Sequence, residues 1–562
     1  MTVDTQPVTE SRRPARAPRS EGQWALGQRE PLNANEVFKR DDNPLNVRQR
    51  IIDVYSKQGF DSIPADDLRG RFRWMGIYTQ RKPGIDGGRT AQLEPEELDD
   101  KRFMMRIRID GGVLSTEQLA AIGEVSTQYA RDTADITDRQ NIQYHWIEIE
   151  DVPAIWDRLE PLGLWTQEAC GDCPRVVLGS PVGGRLDSEL LDPKPAIEAI
   201  KQILREDESL ANLPRKYKSS VSWFWDAVPE INDVSFVGSV HPEHGPGFDV
   251  YVGGGLSTLA HLAPRLGAWV PLDEVPQVWR AITEFFRDYG YRRLRNKARM
   301  KYLVKDWGVE KVREVIENEY LGRKLIDGPP AVAPASPIDY VGVTQQKDGR
   351  VAVGFAPVVG RVSGTILSQV AEAAREAGSD AVSFTPLQKL VVLDVDPAKA
   401  DRLIETLRPL GLHARASLWR RGTMACTGLE YCKLGIVETK QRAIDLVADL
   451  DERLADVALE RPIAINLNGC PNSCARIQVA DIGLKGQIVT DDTGEQVEGF
   501  QAHLGGELGL DAAYGRKLRG HKVVSAELGD YVERLVRGFA ADAEPGERFA
   551  QWAARVDEDA LQ

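Results

Sequence analysis

A sequence pattern that occurs twice constrains the fold of this 562-residue chain more than any other feature. The stretch Gly111–Leu119 (GGVLSTEQL) resembles Gly360–Ser368 (GRVSGTILS), and each lies between an apolar strand pattern and a helix pattern. Further along, Ile136–Ile142 (ITDRQNI) resembles Phe384–Leu390 (FTPLQKL), and each opens another strand. A period this long indicates duplication of a whole domain rather than a solenoid of short repeats.

The segment between the two copies, Asp327–Pro337 (DGPPAVAPASP), is rich in proline and glycine. Proline removes a backbone donor and blocks helix continuation, so no helix or sheet ladder is expected to run through this segment. A chain of 562 residues is also too long for a single hydrophobic core. We therefore predict two related halves, joined by this linker and paired about a pseudo-twofold axis.

The composition excludes several classes of protein. Acidic residues outnumber basic ones by 85 to 71, and the net charge of −14 argues against general nucleic-acid binding. The sequence has neither a long apolar run nor a hydrophobic signal segment, so we predict no membrane partner and a cytoplasmic location. Six cysteines are too few for a disulfide scaffold in a chain of this length. Residues 1–20, rich in Arg, Pro, Ser and Thr, are predicted to form a disordered arm.

Four cysteines in the second half form two close pairs, Cys426-x5-Cys432 and Cys470-x3-Cys474. Thiolates grouped in this way suit one soft metal centre, either an iron–sulfur cluster or zinc. Pro471 is typical of the first turn of a helix, which would place Cys474 on the same face as Cys470, near free backbone N–H groups. That environment would stabilise an anionic cluster, whereas zinc sites more often use C-x2-C pairs or Cys/His mixtures. The spacing favours the cluster and leaves zinc as the alternative.

Cationic residues in strand patterns occur mainly in the first half. Phe103–Ile109 (FMMRIRI) is predicted to be a strand that carries Arg106 and Arg108 on one face. Arg139–Trp146 (RQNIQYHW) is predicted to be a second strand, with polar side chains on one face and aliphatic and aromatic ones on the other. Each polar face suits either a solvated surface or the wall of a charged pocket.

Shorter segments carry further candidates. Gly171–Arg175 (GDCPR) is a turn that ends in an arginine, and Leu213–Ser219 (LPRKYKS) enters a strand with two lysines on one face. Tyr291–Lys301 (YRRLRNKARMK) is predicted to be a basic helix, which is usually solvated. The glycine run in Val252–Ser257 (VGGGLS) lacks the Gly-Lys-Ser/Thr of a phosphate loop and indicates close backbone approach, either to a cofactor or to another loop.

The pattern C-x5-C followed by GCPNSC, supported by these separate segments, resembles the sulfite and nitrite reductase family with coupled sirohaem and [4Fe–4S] centres. The resemblance implies an α/β (α+β) fold, a duplicated sulfite/nitrite reductase repeat with ferredoxin-like half-domains and two cofactor-binding domains. It also implies that Cys426, Cys432, Cys470 and Cys474 hold the cluster. Cys474 would in addition be the axial ligand of the sirohaem iron.

On this resemblance we predict an order of domains along the chain. Their bounds are an arm at 1–20, an N-terminal extension wrapping the core at 21–94, a ferredoxin-like half-domain at 95–165, a sirohaem- and substrate-binding domain at 166–326, the linker at 327–337, a second half-domain at 338–415 and a [4Fe–4S]/sirohaem domain at 416–562.

The resemblance also assigns roles to the basic residues. Arg106, Arg175, Lys216 and Lys218 would surround the substrate, where lysine can donate protons and arginine stays charged and orients the anion. The residues expected near the sirohaem ring or its carboxylates are Arg108, Arg139, Gln143, His145, Arg295, Arg299 and Lys301.

The implied activity is the six-electron reduction of sulfite to sulfide in sulfur assimilation. Sulfite-reducing members resemble Arg-Lys-x-Lys, whereas plant-type nitrite reductases carry asparagine at the second lysine, so Lys218 favours sulfite. The alternatives are a ferredoxin–nitrite reductase and, from another class, a non-catalytic protein with a four-cysteine zinc site.

The electron donor is expected to be a separate protein, because no G-x-G-x-x-G dinucleotide motif follows a strand pattern. Ferredoxin is favoured over a flavoprotein subunit. Ferredoxins are typically acidic, so docking requires a local positive patch on this acidic chain. We expect the enzyme to be a monomer.

Two further cysteines, Cys170 and Cys173, form a C-x-x-C pair that would be redox-active, zinc-binding or simply two reduced thiols. Tyr78 lies in Gly76–Arg81 (GIYTQR), a segment that approaches the substrate pocket in the family. The resemblance to actinobacterial-type sulfite reductases implies a Tyr78–Cys170 thioether cross-link.

Overall fold

The computed structural model describes residues 33–335 and 337–562, so the predicted arm at 1–20 lies outside the described residues. Two five-stranded sheets are built from the duplicated segments. Across the first sheet the order is β1 (Ile77–Arg81), β2 (Asp99–Ile107), β5 (Ile142–Ile147), β4 (Ala134–Ile136) and β14 (Arg361–Val362). Across the second it is β12 (Gly342–Gln345), β13 (Val351–Phe355), β16 (Leu390–Val395), β15 (Ala381–Phe384) and β3 (Val113–Ser115).

These two sheets exchange strands. β3 comes from the first copy but pairs with β15, and β14 comes from the second copy but pairs with β4, both antiparallel. The helices that follow them begin at equivalent caps, because the hydroxyls of Ser115 and Ser363 accept from the backbone N–H three residues on. The predicted duplication is therefore confirmed, and the exchange ties the two copies together.

The two capped helices, Thr116–Tyr129 and Gly364–Glu376, touch through glycine. A Cβ at Gly364 would lie 2.5 Å from the carbonyl oxygen of Gly123, and a Cβ at Gly123 would lie 2.6 Å from that of Gly364. Only glycine permits so close an approach. Both copies thus share one hydrophobic core, which includes Leu119, Ile122, Leu367 and Val370.

Two larger sheets carry the loops that form the site. One has the order β11 (Ile326–Asp327), β10 (Arg265–Val270), β9 (Gly245–Val252), β8 (Val234–His241), β7 (Tyr217–Ser222) and β6 (Pro174–Leu178). The other has the order β17 (Thr423–Ala425), β18 (Ile465–Asn468), β19 (Ile482–Thr490), β20 (Gln496–Leu504) and β21 (Arg516–Val524). In the first of these sheets β6, β7 and β8 are parallel, and in the second β17, β18 and β19 are parallel. The carboxyl ends of parallel strands meet at one edge of a sheet, where ligand sites commonly form.

Amphipathic helices cover the sheets, as where Ile200 and Trp279 join Val221 and Phe236 in one core. In the described residues the α-helices run Ala34–Asp41, Val47–Arg50, Ser56–Gln58, Ala65–Arg69, Pro95–Leu98, Thr116–Tyr129, Val152–Leu159, Lys194–Glu206, Val275–Tyr289, Met300–Trp307, Val309–Val315, Gly364–Glu376, Ala400–Leu407, Leu418–Gly422, Lys440–Arg453, Leu528–Asp542 and Phe549–Arg555. None of the helices described is both long and apolar enough to cross a bilayer.

The predicted strand over Arg139–Trp146 is shorter in the structure, because its first three residues form a turn. Gln140 in this turn has a φ of 56°, and its counterpart in the second copy, Gln388, has a φ of 59°. Each glutamine side chain both donates to and accepts from the backbone of a larger sheet, Gln140 at Gly179 and Gln388 at Ala425. In each copy, hydrogen bonds from this turn connect a sheet of the duplicated segments to the sheet that contains β6 or β17. The alternation of residues in the sequence did not indicate this contact.

The helix predicted after Cys470 is also wrong. The loop there has left-handed backbone at Ser473 (φ 56°) and Arg476 (φ 60°). The side chain of Asn468 closes the loop, donating to the carbonyl of Cys470 at 2.6 Å and accepting from the N–H of Ala475 at 2.8 Å. An asparagine that bonds nearby backbone competes with helix formation.

The basic segment Tyr291–Lys301 is likewise not one helix. It contains a short 3₁₀ turn at Arg295–Lys297, and an α-helix begins only at Met300. Its charged side chains bind separate carboxylates and carbonyls, as described below, and do not form one solvated helix face.

Candidate active site

The four cysteines gather at the carboxyl-end edge of β17 and β18. Cys426 follows β17 directly, Cys470 follows β18 by two residues, and Cys432 and Cys474 lie further along the same loops. Burial, followed by the nearby Cys474 thiol, raises the pKa of Cys426 to about 12. The same two causes raise the pKa of Cys432 and of Cys470. Four thiols from two loops therefore form one interacting group.

Backbone N–H groups are directed at these sulfurs. The N–H of Gly469 donates to Cys426 Sγ at 3.2 Å. Burial raises the pKa of Cys432, and the N–H groups of Leu434 and Gly435 oppose that rise. Donors of this kind stabilise the thiolates and sulfides of an iron–sulfur cluster. In residues 33–335 and 337–562, no three His, Cys, Asp or Glu side chains converge closely enough to hold a single metal ion.

Buried cations from the first half collect beside the cysteine loops. Burial and then Lys218 lower the pKa of Lys216 well below its usual value, and Arg175 and Cys474 are among the other charges that act on it. Burial and then Arg139 lower the pKa of Lys218 to about 7. Burial lowers the pKa of Arg139 itself to about 9. Asp138 opposes the lowering of both the Lys218 and the Arg139 pKa without cancelling it, so the pocket has too little counter-charge of its own.

This pocket fits an anionic cofactor. Among the described side chains and backbone, no acceptor is within hydrogen-bonding distance of the Lys216 or Lys218 ammonium. The Nε atom of Arg139 is buried without a hydrogen-bond partner in the same part of the structure, whereas Arg476 Nε lies 3.5 Å from a carboxylate oxygen of Asp138. Orphaned donors of this kind are costly unless a ligand satisfies them. The peripheral carboxylates of sirohaem would supply both the missing charge and the missing acceptors.

Arg106 joins the pocket to two residues of special interest. Its Nη1 lies 2.7 Å from Cys170 Sγ, and its Nη2 lies 3.4 Å from Tyr78 Oη and 2.8 Å from Gln143 Oε1. Burial opposes the charge of Arg106, but Cys170 and Tyr78 outweigh it and raise the pKa of the guanidinium. Burial raises the pKa of Tyr78 to about 12. The phenol and the thiol of the predicted cross-link therefore lie against one guanidinium.

Arg175 is oriented by its own loop. Its Nε and Nη2 donate to the carbonyl of Gly171 at 3.2 and 2.7 Å, and its Nη1 donates to the carbonyl of Ala169 at 3.2 Å. Carbonyls orient the guanidinium but do not cancel its charge, which still acts on Lys216.

Gln143 and His145 both contact the cysteine loops. Gln143 Nε2 donates to Thr427 Oγ1 at 3.2 Å, next to Cys426. The ring of His145 stacks on Tyr431 with centroids 3.6 Å apart, next to Cys432. Burial lowers the pKa of His145 to about 3, so the ring is neutral at physiological pH. These two residues brace the metal-binding loops from the first half.

Two residues predicted to contact sirohaem, Arg108 and Lys301, are bound by protein acceptors in the structure. β2 ends before Arg108, whose guanidinium binds Asp110 at 2.8 Å and donates to the carbonyls of Pro174 and Arg175. Lys301 Nζ donates to four carbonyls at 2.8 to 3.2 Å, those of Gly255, Leu256, Thr258 and Leu259. Both groups have a structural role in the described residues, and their contact with a cofactor stays a prediction.

The glycine run serves the loop that Lys301 closes. A Cβ at Gly254 would lie 2.4 Å from the carbonyl oxygen of Glu230, so the run approaches another loop closely, one of the two predicted possibilities. Arg299 donates to the carbonyl of Gly254 and, at 2.9 Å, to Asp233. Its guanidinium still lies at the cation pocket, where its charge lowers the pKa of Lys216.

Arg295 belongs to an ion-pair hub that sequence reasoning missed. Both of its Nη atoms bind Asp172, which also lies 3.5 Å from Lys39 Nζ and 3.8 Å from Arg215. Burial opposes ionisation of Asp172, but these cations outweigh it and hold its pKa well below the usual range. The hub ties the N-terminal extension to the loop between Cys170 and Arg175. No motif indicates it, because its members are far apart in the sequence.

The internal repeat places a counterpart of this pocket in the second half. Asp233 accepts from the N–H of Lys218, and Asp481 accepts from the N–H of Ala464, both at 2.8 Å. Because these bonds occupy the same place in the two repeats, Ala464 is the counterpart of Lys218.

The counterpart pocket lacks cations at the equivalent positions. A cavity of about 320 Å³ is lined there by Leu387, Pro462 and Ala464, and also by several carboxylates and the arginines Arg421, Arg461, Arg476 and Arg548. Leu387 and Pro462 occupy the positions of Arg139 and Lys216 in the repeat. Apolar side chains offer no counter-charge to a polyanion, so the set formed by Arg139, Lys216 and Lys218 has no equivalent in the second half.

Comparisons with known proteins agree with this geometry. The model described as nitrite and sulphite reductase 4Fe-4S domain matches residues 170–325 and 419–562, and the nitrite/sulfite reductase ferredoxin-like half domain matches 96–162 and 344–410. A protein of Mycobacterium tuberculosis (strain ATCC 25618 / H37Rv) named sulfite reductase (ferredoxin) is 60% identical over 98% of this chain and 99% of its own.

A ferredoxin–nitrite reductase of Synechococcus elongatus is 34% identical over 92% of this chain and 98% of its own. The solved structure of the Mycobacterium tuberculosis NirA protein is 60% identical, with a TM-score of 0.94, and the alignment covers 97% of this chain and 100% of that one. With matched segments in both halves and relatives that align almost end to end, the chain belongs to the nitrite and sulphite reductase family.

Proposed function

We propose that this chain is a ferredoxin-dependent sulfite reductase that reduces sulfite to sulfide for assimilation. The observation that carries the proposal is the juxtaposition of the four-thiol group with the buried cation pocket, since Gln143 bonds Thr427 next to Cys426 and Cys474 acts on Lys216. A metal centre beside a strongly cationic pocket suits reduction of a small oxyanion.

The residues at hand suggest how the cofactors are held. Cys426, Cys432, Cys470 and Cys474 would ligate a [4Fe–4S] cluster, and Cys474 would also reach the sirohaem iron. The carboxylates of sirohaem would be met by Arg139 and Arg299, with Gln143 and His145 bracing the cluster loops. When bound, the coupled centre supplies the redox chemistry.

The side chains around the substrate bind charge and deliver protons. Arg106 and Arg175 stay charged and orient the sulfite dianion. Release of its oxygens as water consumes protons, and a lysine whose pKa is lowered to about 7, as at Lys218, can give up a proton near neutral pH. Burial and then Lys218 also lower the pKa of Lys216 well below its usual value, so Lys216 is a second proton donor for the same step.

Sulfite is favoured over nitrite because the 60% identical relatives are named sulfite reductases and those at 32 to 35% are named nitrite reductases. The test is turnover of each anion by the cofactor-loaded chain with reduced ferredoxin. We expect kcat/KM to be higher for sulfite, and Lys218→Asn to shift the ratio toward nitrite. A wild-type preference for nitrite would contradict the proposal.

The remaining assignments are proposals that the chemistry supports. Ferredoxin is the electron donor, since relatives of both kinds are named for it. Thiolate ligands suit a reducing cytoplasm. We also propose that the enzyme acts as a monomer.

We propose that Tyr78 and Cys170 form a thioether, supported by their shared contact with Arg106. The bond would remove one hydrogen from the phenol ring and one from the thiol, with two electrons passing to an oxidant such as dioxygen. The intact mass of the cofactor-stripped chain should then be about 2 Da below the sequence mass. The Tyr78→Phe variant should have the mass calculated from its own sequence, with no deficit. A wild-type chain without the deficit of about 2 Da would rule the bond out.

A further inference from the structure

The outer three strands of the cysteine-bearing sheet are rich in cations. β19, β20 and β21 contain five Lys or Arg residues and one carboxylate, although the whole chain has a net charge of −14. That carboxylate, Glu498, is already occupied, since it accepts from the N–H of Glu438 and from Arg442. The three strands therefore form a local positive region on an acidic protein.

Strand register collects the cations on one face. Lys485 lies opposite Gln501, which lies opposite Lys522, and His503 lies opposite Lys517 in the next row. Directly opposite residues point to the same side of a sheet. Lys517 and Lys522 are exposed and Lys485 is half-buried, and no described carboxylate is within ion-pairing distance of the three lysines.

The charges on this face act on one another. Burial lowers the pKa of Lys485, and Lys517 and Lys522 lower it further. Burial lowers the pKa of His503 to about 4, and Lys485 and Lys517 contribute. Mutual repulsion of this kind indicates positive potential that an acidic partner would relieve.

The same row of residues reaches the cysteine loop. Asn468 lies directly opposite Lys485, and its side chain is the one that closes the loop between Cys470 and Ala475. Neighbouring strands are about 4.8 Å apart, so Lys485 and Lys522 lie about 5 and 14 Å across the sheet from Asn468. A partner on this face would therefore sit beside the proposed cluster.

We infer that the face formed by Lys485, His503, Lys517 and Lys522, termed the basic face, is the docking surface for an acidic iron–sulfur electron donor of the ferredoxin type. The inference rests on the proposed function. Complementary charge would steer the donor to the face, and the row through Asn468 would place it next to the cysteine loop.

Charge reversal tests the docking surface. The double variant Lys517→Glu/Lys522→Glu, as cofactor-loaded full chain, should bind a purified acidic bacterial ferredoxin about tenfold more weakly or worse at low salt, by calorimetry. The difference from wild type should shrink as salt is raised. Sulfite turnover driven by reduced methyl viologen, a small dye that needs no docking surface, should stay within about twofold of wild type.

A matched control is Lys57→Glu/Lys347→Glu, two exposed lysines of other domains. It should bind ferredoxin as wild type does. Unchanged ferredoxin binding in the first variant, or equal weakening in the control, would overturn the inference. A change in oligomeric state with ferredoxin binding intact would instead assign the face to self-association. Absence of viologen-driven sulfite turnover in wild type would count against the proposed function, while the binding assay would still decide the docking surface.

Discussion

Cys474→Ser should strip the protein of its coupled centre and lower sulfite turnover more than about a hundredfold. A serine hydroxyl is a hard, weakly acidic ligand, whereas iron–sulfur clusters require thiolates. Cys474 acts electrostatically on the other three cysteines and on Lys216, so it stands where the cluster and the cation pocket meet. Its loss should therefore lower iron content and visible absorption together, measured by metal analysis and spectroscopy.

Cys173→Ser provides the matched control. Cys173 is buried, and its thiol donates to the carbonyl of Cys170 at 2.8 Å, away from the metal-binding group. A serine hydroxyl can make the same bond, so iron content should remain at the wild-type level. Full iron in the Cys474 variant, or loss of iron in the Cys173 variant, would show that the ligands are assigned wrongly.

Lys218→Met should lower kcat/KM for sulfite by about a hundredfold or more, because it removes both a charge and a proton donor from the substrate pocket.

The Lys218→Met change should also stabilise the cofactor-free protein near pH 6. Burial and Arg139 lower the pKa of Lys218 to about 7 in the folded chain, below the value of about 10.4 for an unfolded lysine. Between these values the unfolded state binds more protons, so wild-type stability rises with pH.

The stability difference between Lys218→Met and wild type should therefore be largest below pH 7 and vanish above about pH 10. Chemical denaturation of the cofactor-free forms at several pH values measures it. Lys201→Met, at a half-buried lysine that pairs with Glu198 on a helix surface, should change neither stability nor turnover appreciably. A Lys218 variant that keeps full activity, or that is less stable than wild type at pH 6, would contradict the assigned role.

The duplication was predictable because it repeats capped helices and turn residues that the chain uses structurally. Ser115 and Ser363 cap equivalent helices, and Gln140 and Gln388 adopt the same left-handed turn. The grouping of Cys426 and Cys432 with the two later cysteines around one metal centre was predictable from their spacing, because two close pairs of thiolates are typical of metal sites.

The sequence did not indicate which group pairs with each charged side chain. Alternation predicted the faces of Arg108 and neighbouring residues, but not that the strand ends before Arg108 or that its guanidinium pairs with Asp110, two residues along the chain. The resemblance assigns Lys301 to the cofactor, and no sequence pattern indicates that its ammonium closes a loop of carbonyls. The Asp172 hub, reached by Lys39 from the N-terminal extension, has no sequence pattern.

The most direct test of the account is the visible spectrum and metal content of the full chain purified from cells that make sirohaem. The account predicts a Soret band, a long-wavelength band typical of a chlorin-type ring, and about five irons per chain for one sirohaem and one four-iron cluster. A colourless protein that carries zinc would contradict it, since the four thiols would then hold a structural ion and the cation pocket would have no redox centre beside it.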